Sequence, residues 1–269
     1  SGIDCFLEGP AFDRDGNLYM VDIPYGRILR MSPRGEFDVA AQYEGWPNGL
    51  AIHRDGRVYI ADYRHGIMVL DPASGRVEPL LTHAFSESFK GVNDLTFARN
   101  GDLYFTDQGQ TGVHDPTGRV YRRTADGRLE CLIGNGPSPN GLVLDPSEKV
   151  LYVAMTRANC MWHCPLKPGG GVAKVGVFAQ LPGIHGPDGL AMDEAGNLAV
   201  AHARPGIIWL FSPVGEPLYR VELPGRTARM TNMAYGGPDG RTLFITESYS
   251  GAILAARMPT AGKVLYSHA

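Results

Sequence analysis

The sequence contains no apolar run approaching the roughly 20 residues that a membrane-spanning helix needs. It also lacks any block of Lys and Arg, and its 25 basic and 28 acidic residues give a net charge of −3. We therefore expect neither a membrane nor a nucleic acid as partner, because nucleic-acid binding depends on clustered positive charge. Four cysteines in 269 residues are too few for a disulfide framework, so we expect free thiols and a cytoplasmic protein.

Helical periodicity is absent over any useful length, but a longer repeat is present. A polar residue, an apolar stretch, a polar turn and a second apolar stretch recur every 40 to 48 residues. The six segments begin at Glu8, Asn48, Asn93, Asn140, Asp188 and Asn232. The turns contain hairpin pairs such as Asp15-Gly16 and Asp55-Gly56. Three or four strands per repeat predict an all-β, six-bladed β-propeller that forms a single domain over residues 1–269.

A propeller is a closed ring, so its first and last blades must be joined. Two segments of the chain are candidates for the strand that completes the blade shared by the two ends. These are residues 262–266 and the residues before Glu8, and the sequence does not choose between them.

The residue that opens each repeat also opens the innermost strand of a blade, so six such residues meet at one mouth of the central channel. All six carry a carboxylate or a carboxamide, the oxygen donors that hard cations prefer. Turn formation explains any single Asn or Asp before Gly. It does not explain six carboxylate or carboxamide residues at the same position of the repeat, and Glu8 is not a turn-forming residue. The sequence therefore predicts a divalent metal ion in the channel.

Four short motifs fall in register with this repeat: Glu8-Gly9-Pro10, Asn93-Asp94, Pro139-Asn140-Gly141 and Pro187-Asp188-Gly189. Together they resemble the signature of the senescence marker protein / gluconolactonase family, over nearly the whole chain. That family includes regucalcin-like lactonases and is related to diisopropyl fluorophosphatase. The resemblance implies a six-bladed propeller with a metal site at its centre.

The resemblance also implies roles for individual residues. Glu8, Asn140 and Asp188 match metal ligands, and Asn93 matches a position that coordinates the ion in some members and binds substrate in others. Asp188 matches the carboxylate that acts as general base or nucleophile. We expect one divalent ion, with calcium as the first choice and zinc, magnesium and manganese as alternatives.

Two positions depart from the patterns of related enzymes. Sugar lactonases of the family often carry Arg two residues before the Asn-Asp pair, where this chain has Gly91. Related phosphotriesterases carry an Asp for a second calcium three residues after the Asp that matches Asp188, where this chain has Ala191. The first departure argues against an aldonolactone substrate, and the second favours a single metal ion.

The loops after the second strands should form the rim of the pocket, because these strands end at the mouth where the first strands begin. We expect substrate-binding side chains here, namely Tyr63, Gln108, Arg157, His202 and Arg204, together with Asn93. A mixed polar and cationic rim suits a small polar substrate.

These features predict a metal-dependent lactonase that acts on a small molecule. In this hypothesis the metal polarises the lactone carbonyl, and Asp188 acts as base or nucleophile. Two alternatives remain open: a phosphotriesterase or other esterase that uses the same site, and a non-enzymatic binding propeller. We expect a monomer or a small homo-oligomer.

Overall fold

The computed structural model describes residues 5–223 and 228–269, which fold into six antiparallel sheets around a central channel. The strands of each sheet follow chain order from the channel outwards, and the innermost strands of neighbouring sheets contact each other in a closed ring. The prediction of an all-β, six-bladed propeller is confirmed. No helix among the described residues is long and apolar enough to cross a membrane.

The first three blades contain four strands each. Blade one has β1 (Leu7–Phe12), β2 (Leu18–Asp22), β3 (Arg27–Met31) and β4 (Phe37–Gln42). Blade two has β5 (Pro47–Ile52), β6 (Val58–Asp62), β7 (Gly66–Asp71) and β8 (Arg76–Leu81), and a small hairpin follows it with β9 (His83–Ala84) and β10 (Glu87–Ser88). Blade three has β11 (Val92–Phe97), β12 (Leu103–Asp107), β13 (Gly118–Arg123) and β14 (Leu129–Gly136).

Blades four and five also have four strands, and blade six has three within the described residues. Blade four has β15 (Pro139–Leu144), β16 (Val150–Met155), β17 (Cys160–Pro165) and β18 (Gly176–Gln180). Blade five has β19 (Leu190–Met192), β20 (Leu198–His202), β21 (Ile207–Phe211) and β22 (Pro217–Glu222), and blade six has β23 (Met230–Gly236), β24 (Thr242–Glu247) and β25 (Ala252–Arg257). Short 3₁₀ turns occur at Ile23–Tyr25, Thr156–Ala158 and Tyr266–His268.

The hydrophobic core lies between the blades. Every residue of β2, β6 and β12 is buried, whereas most residues of the outer strands β4 and β22 are exposed. Inner strands are covered on both faces by neighbouring blades, so they are nearly continuous apolar runs rather than alternating ones. This burial pattern explains why the second apolar stretch is the clearest part of each repeat.

The predicted hairpin turns connect the first and second strands of the blades. Gly16 and Gly56 have φ angles of 80° and 90°, a region in which a side chain would be strained. Their amides donate to the carbonyls of Asp13 and His53 and close the turns. The turn chemistry read from the sequence is confirmed at both positions.

Residues 263–268 cross the end of the channel that lies away from the openings of the innermost strands; we call this segment the C-terminal strap. The Lys263 ammonium, which is buried, donates to the carbonyl of Leu144 in blade four. Arg14 of blade one donates to the carbonyl of Ser267. The ring of Tyr266 lies 5.0 Å from that of His53 and 5.1 Å from that of Phe97, measured between centroids. The strap thus joins several blades at once.

The position of the strap rules out one of the two candidates for ring closure. Residues 262–266 do not complete a blade: their only strand-like feature is an isolated bridge between Gly262 and Asp193. They cover the channel instead, and aromatic packing rather than strand pairing holds them in place. The other proposal concerns the residues before Glu8, of which residues 1–4 lie outside the described part. The two ends of the ring meet where the Thr231 hydroxyl donates to the carbonyl of Leu7, at 2.9 Å.

We expect Tyr266→Ala to lower the free energy of unfolding by about 3 kcal/mol, because it removes a buried ring that packs against two blades. Urea unfolding followed by fluorescence measures the change. Tyr219→Ala is the matched control, since that ring is 54% exposed on β22, and it should change the stability by less than about 1 kcal/mol. Equal losses in both variants would contradict the role assigned to the strap.

Candidate functional site

The residues that open the innermost strands converge at one end of the channel. In β1, β5, β11, β15 and β23 the pairing with the next strand shifts register just after the opening residues. Such β-bulges re-aim side chains and are frequent beside active sites. The residues at this position form what we call the channel ring, and in the first five blades they are Glu8, Asn48, Asn93, Asn140 and Asp188.

Glycine after the ring residue lets neighbouring innermost strands approach closely. A Cβ atom at Gly141 would lie 2.5 Å from the carbonyl oxygen of Asp188, and one at Gly49 would lie 2.8 Å from that of Asn93. The amide of Gly141 donates directly to the Asp188 carbonyl at 3.2 Å. These contacts hold the ring residues of adjacent blades near each other.

In blade six the expected ring residue is wrong by one position. Met230 pairs with Glu247 as Val92 pairs with Asp107, which places Thr231 in the channel ring. Asn232 lies one residue further along the strand. Its backbone N–H donates to Thr246 Oγ1 at 3.1 Å, just as the backbone N–H of Asp94 donates to Thr106 Oγ1. Strand register determines which residue lies in the ring. The sixth repeat was aligned at Asn232 because its side chain resembles those that open the other repeats.

Three carboxylates meet in the channel. Burial raises the pKa of Glu8 to about 7, and burial together with the charge of Glu8 raises the pKa of Asp94 to about 8. Asp188 keeps part of its surface open, yet the surrounding protein and then the charge of Glu8 raise its pKa well above the ordinary value. The Arg229 charge opposes this rise only in part. Without a bound cation, ionisation of these three carboxyl groups is therefore unfavourable.

Three carboxamides in and beside the channel ring are oriented by hydrogen bonds of their side chains. Asn93 Nδ2 donates to Gln108 Oε1 at 3.0 Å, and the Asn140 side chain hydrogen-bonds to Asp188. Asn232 Nδ2 donates to Glu8 Oε2, also at 3.0 Å. With their nitrogens engaged, Asn93 and Asn140 have oxygens that take no hydrogen bond from the described part of the chain.

This set of donors fits a hard divalent cation. Glu8, Asp188, Asn93 and Asn140 would supply two carboxylates and two carboxamide oxygens, the ligand chemistry of calcium rather than that of a His and Cys site. Residues 5–223 and 228–269 contain no group of three or more His, Cys, Asp and Glu side chains arranged to hold a metal ion, so a cation here would depend on the carboxamide oxygens as well. A cation here would also balance the buried negative charge.

Asp94 is a channel carboxylate that the sequence reasoning left without a role. It follows Asn93 directly, and the equivalent residues of blades one, two, four and five are all glycine, namely Gly9, Gly49, Gly141 and Gly189. A Cβ atom at Gly49 would lie 2.5 Å from Asp94 Oδ1, so the glycine makes room for this carboxylate. A comparison of this position across the six repeats would have singled out Asp94.

A cleft of about 740 Å³ adjoins the channel ring at the mouth. Gln108, which lines the cleft, connects it to the ring: the side chain accepts from Asn93 and donates to Ser138 Oγ at 3.0 Å. Ser138 has φ of 64°, an unusual conformation for a residue with a side chain, and strained backbone of this kind clusters at functional sites. Arg157 also lines the cleft, as expected, whereas Ser138 was missed because its signal is conformational.

The rim residue Tyr63 occupies a specific position. Its ring lies against Gly91, where an added Cβ atom would be 2.5 Å from the ring carbon Cζ, and its hydroxyl accepts from Gln110 Nε2 at 2.7 Å. Gly91 has φ of 154°, which favours glycine. An arginine at position 91, as in many sugar lactonases, would collide with this ring.

The remaining two rim candidates differ in accessibility. His202 is only 2% exposed, its Nε2 donates to the carbonyl of His185, and its Nδ1 accepts from Trp209 Nε1 at 3.4 Å. Burial lowers the pKa of His202, which keeps it neutral. Both ring nitrogens are engaged by protein, so His202 supports the loop rather than facing a ligand. Arg204 is exposed in the turn after β20 and does not line the cleft.

Comparison with known proteins matches this geometry to one family. The model of the SMP-30/gluconolactonase/LRE-like region matches residues 6–249. A gluconolactonase of Zymomonas mobilis is 30% identical, over 95% of this chain and 79% of that protein, and the diisopropyl-fluorophosphatase of Loligo vulgaris is 28% identical, over 96% and 91%. The solved structure of a gluconolactonase from Xanthomonas campestris superposes with a TM-score of 0.81 at 27% identity, over 93% and 85% of the two chains. The chain therefore belongs to the SMP-30/gluconolactonase/LRE-like family.

Proposed function

We propose that this protein is a metal-dependent hydrolase that opens a small lactone. The observation that carries the proposal is the meeting of Glu8 and Asp188 with the amide oxygens of Asn93 and Asn140, directly beside an open cleft. Membership of a lactonase family supports lactone hydrolysis as the reaction.

Each ring residue has a role in this proposal. Glu8, Asn140 and Asp188 would hold the cation, with Asn93 as a fourth ligand or a substrate contact. A bound divalent cation supplies a Lewis acid that stabilises negative charge on a carbonyl oxygen. Asp188 Oδ would accept a proton from the water that attacks the lactone carbonyl, or would itself attack that carbon.

The cleft would hold the rest of the substrate. Gln108 and Ser138 form a polar wall next to Asn93, and Arg157 contributes a cation further out. Tyr63 closes the side on which an arginine at position 91 would stand. The substrate would therefore be oriented from the blade-three and blade-four side of the mouth.

Phosphotriester hydrolysis is a second candidate that a specific observation favours. The squid diisopropyl-fluorophosphatase matches over nearly its whole length. The same cation and carboxylate would serve either reaction, because both develop negative charge on an oxygen bound to the reacting atom.

We expect the calcium-loaded protein to hydrolyse members of a lactone panel and to lose that activity on exposure to a strong chelator. Restoring calcium should restore the rate, and a parallel assay with a phosphotriester separates the two candidate reactions. Full activity in protein shown by elemental analysis to be metal-free would reject metal dependence. Hydrolysis of the phosphotriester alone would favour the second candidate.

Asp188→Asn should lower kcat by about 10²–10⁴-fold at saturating metal, because it removes the proton acceptor while keeping one oxygen ligand. The matched variant Asn140→Asp adds a charge, leaves the proposed base intact, and should retain more activity. Bound metal must be measured in both proteins, since affinity and chemistry are otherwise confounded. Near-normal kcat in metal-loaded Asp188→Asn would show that Asp188 is only a ligand.

The stability of the cation-free protein should fall as the pH rises from about 5 to about 8. The folded chain keeps Glu8 and Asp94 protonated up to pKa values of about 7 and about 8, against ordinary values of 4.5 and 3.8. Unfolding in this range therefore releases protons, so a higher pH favours unfolding. Calorimetric Tm values measured with chelator should show the decline, and saturating calcium should flatten it. A Tm that rises over this range without calcium would contradict the burial of these carboxylates.

A further inference from the structure

The cleft beside the channel ring has one sign of charge. Among its lining residues the ionisable side chains are Arg157 and His114, and no Asp or Glu lines it. The other lining side chains are mostly neutral and polar, and they include Gln108, Thr111 and Ser138. A pocket of this composition favours a ligand group that is negatively charged.

Arg157 has no carboxylate partner within the described residues, in contrast to Arg27 and Arg119. Arg27 pairs with Asp22, Arg119 Nη2 lies 2.8 Å from a Glu87 oxygen, and Arg64 lies over the ring of Trp46. Within the described residues, no carboxylate oxygen lies within 4.0 Å of the Arg157 guanidinium. Its charge is therefore available to a ligand.

The backbone fixes where Arg157 stands. Its amide donates to the carbonyl of Pro137, and the preceding Thr156 donates from its amide to the carbonyl of Ser138 and from its hydroxyl to that of Pro187. On the facing loop, a Cβ atom at Gly112 would lie 3.7 Å from Arg157 Cβ. The facing loop and the backbone of Arg157 therefore lie close together at this end of the cleft.

Ser138 adds a second donor on the same wall. Its amide is held by Thr111 Oγ1 at 3.1 Å, and its Oγ already accepts a hydrogen bond from Gln108 Nε2. The hydroxyl proton of Ser138 is therefore free to be donated to a ligand oxygen. A planar guanidinium and a hydroxyl on one wall match the two oxygens of a carboxylate.

We infer that the substrate of this protein is a lactone that carries a carboxylate, bound by Arg157 and Ser138 while the lactone carbonyl lies at the channel ring. This inference rests on the proposed lactonase function and deepens it. Tyr63 lies against Gly91, and the positive charge that lines the cleft is supplied by Arg157.

The test compares two substrates that differ only in charge: a γ-lactone with a free carboxylate, and the same lactone with that group as a primary amide. With the calcium-loaded wild-type protein, kcat/KM should be about 10- to 100-fold higher for the carboxylate, the range of a charge-assisted hydrogen bond. Added salt should reduce the preference, since the cleft is open to solvent.

Three variants locate the preference. Arg157→Gln should abolish it, mainly through a higher KM for the carboxylate substrate, and should lower kcat/KM much less for the amide substrate. Arg157→Lys keeps the charge without the planar fork and should retain part of it. Arg64→Gln removes another exposed arginine of the same mouth and should leave the preference intact.

The outcomes separate this inference from the proposed function. Failure to hydrolyse either lactone would reject the lactonase proposal itself. Hydrolysis of both lactones with equal kcat/KM would leave a lactonase without the inferred specificity and would overturn the inference. A preference that survives in Arg157→Gln, or an equal loss of both substrates in that variant, would also overturn it.

Discussion

The close approach of the innermost strands at one end of the channel is the constraint on which the rest of the site depends. Four of the six blades have glycine immediately after the channel-ring residue, and a Cβ atom at each would collide with the next blade. Because the strands are this close, Glu8 and Asp188 come within electrostatic reach of each other although 180 residues separate them. The absence of a side chain at Gly49 also leaves room for the side chain of Asp94.

The electrostatic consequence is a cluster of buried acidic groups whose ionised forms the protein itself does not stabilise. Burial is the main cause of the raised pKa values of Glu8 and Asp94, and the charge of Glu8 adds to the rise at Asp94. A divalent cation, as proposed for this site, would find the amide oxygens of Asn93 and Asn140 already oriented, because their nitrogens are engaged in hydrogen bonds. The cleft, in contrast, carries positive charge. Opposite charges on neighbouring surfaces would orient an anionic substrate with its carboxylate away from the carboxylates of the ring.

The sequence predicts the blades and most of the ring, because period and turn residues are local signals. The β-bulges at the start of five innermost strands are not visible in this way, and for that reason the repeat pattern assigned Asn232 to the position that belongs to Thr231. Asp94 was missed because the repeats were compared only at their first residue, which in the third repeat is Asn93. The buried orientation of the His202 side chain depends on a partner in another loop. The conformation of Ser138 depends on Thr111. No property of the chain near either residue encodes these contacts.

The C-terminal strap has a consequence for how the molecule forms. Its contact between Arg14 and Ser267 joins residues 253 positions apart, so it needs almost the whole chain. While the protein is being synthesised, blades can pair with their neighbours as they leave the ribosome, but the channel stays open at both ends. A chaperone or protease that meets the nascent chain therefore encounters a split ring with exposed aromatic rings such as His53 and Phe97. That surface is covered only once the ring of Tyr266 packs against His53 and Phe97.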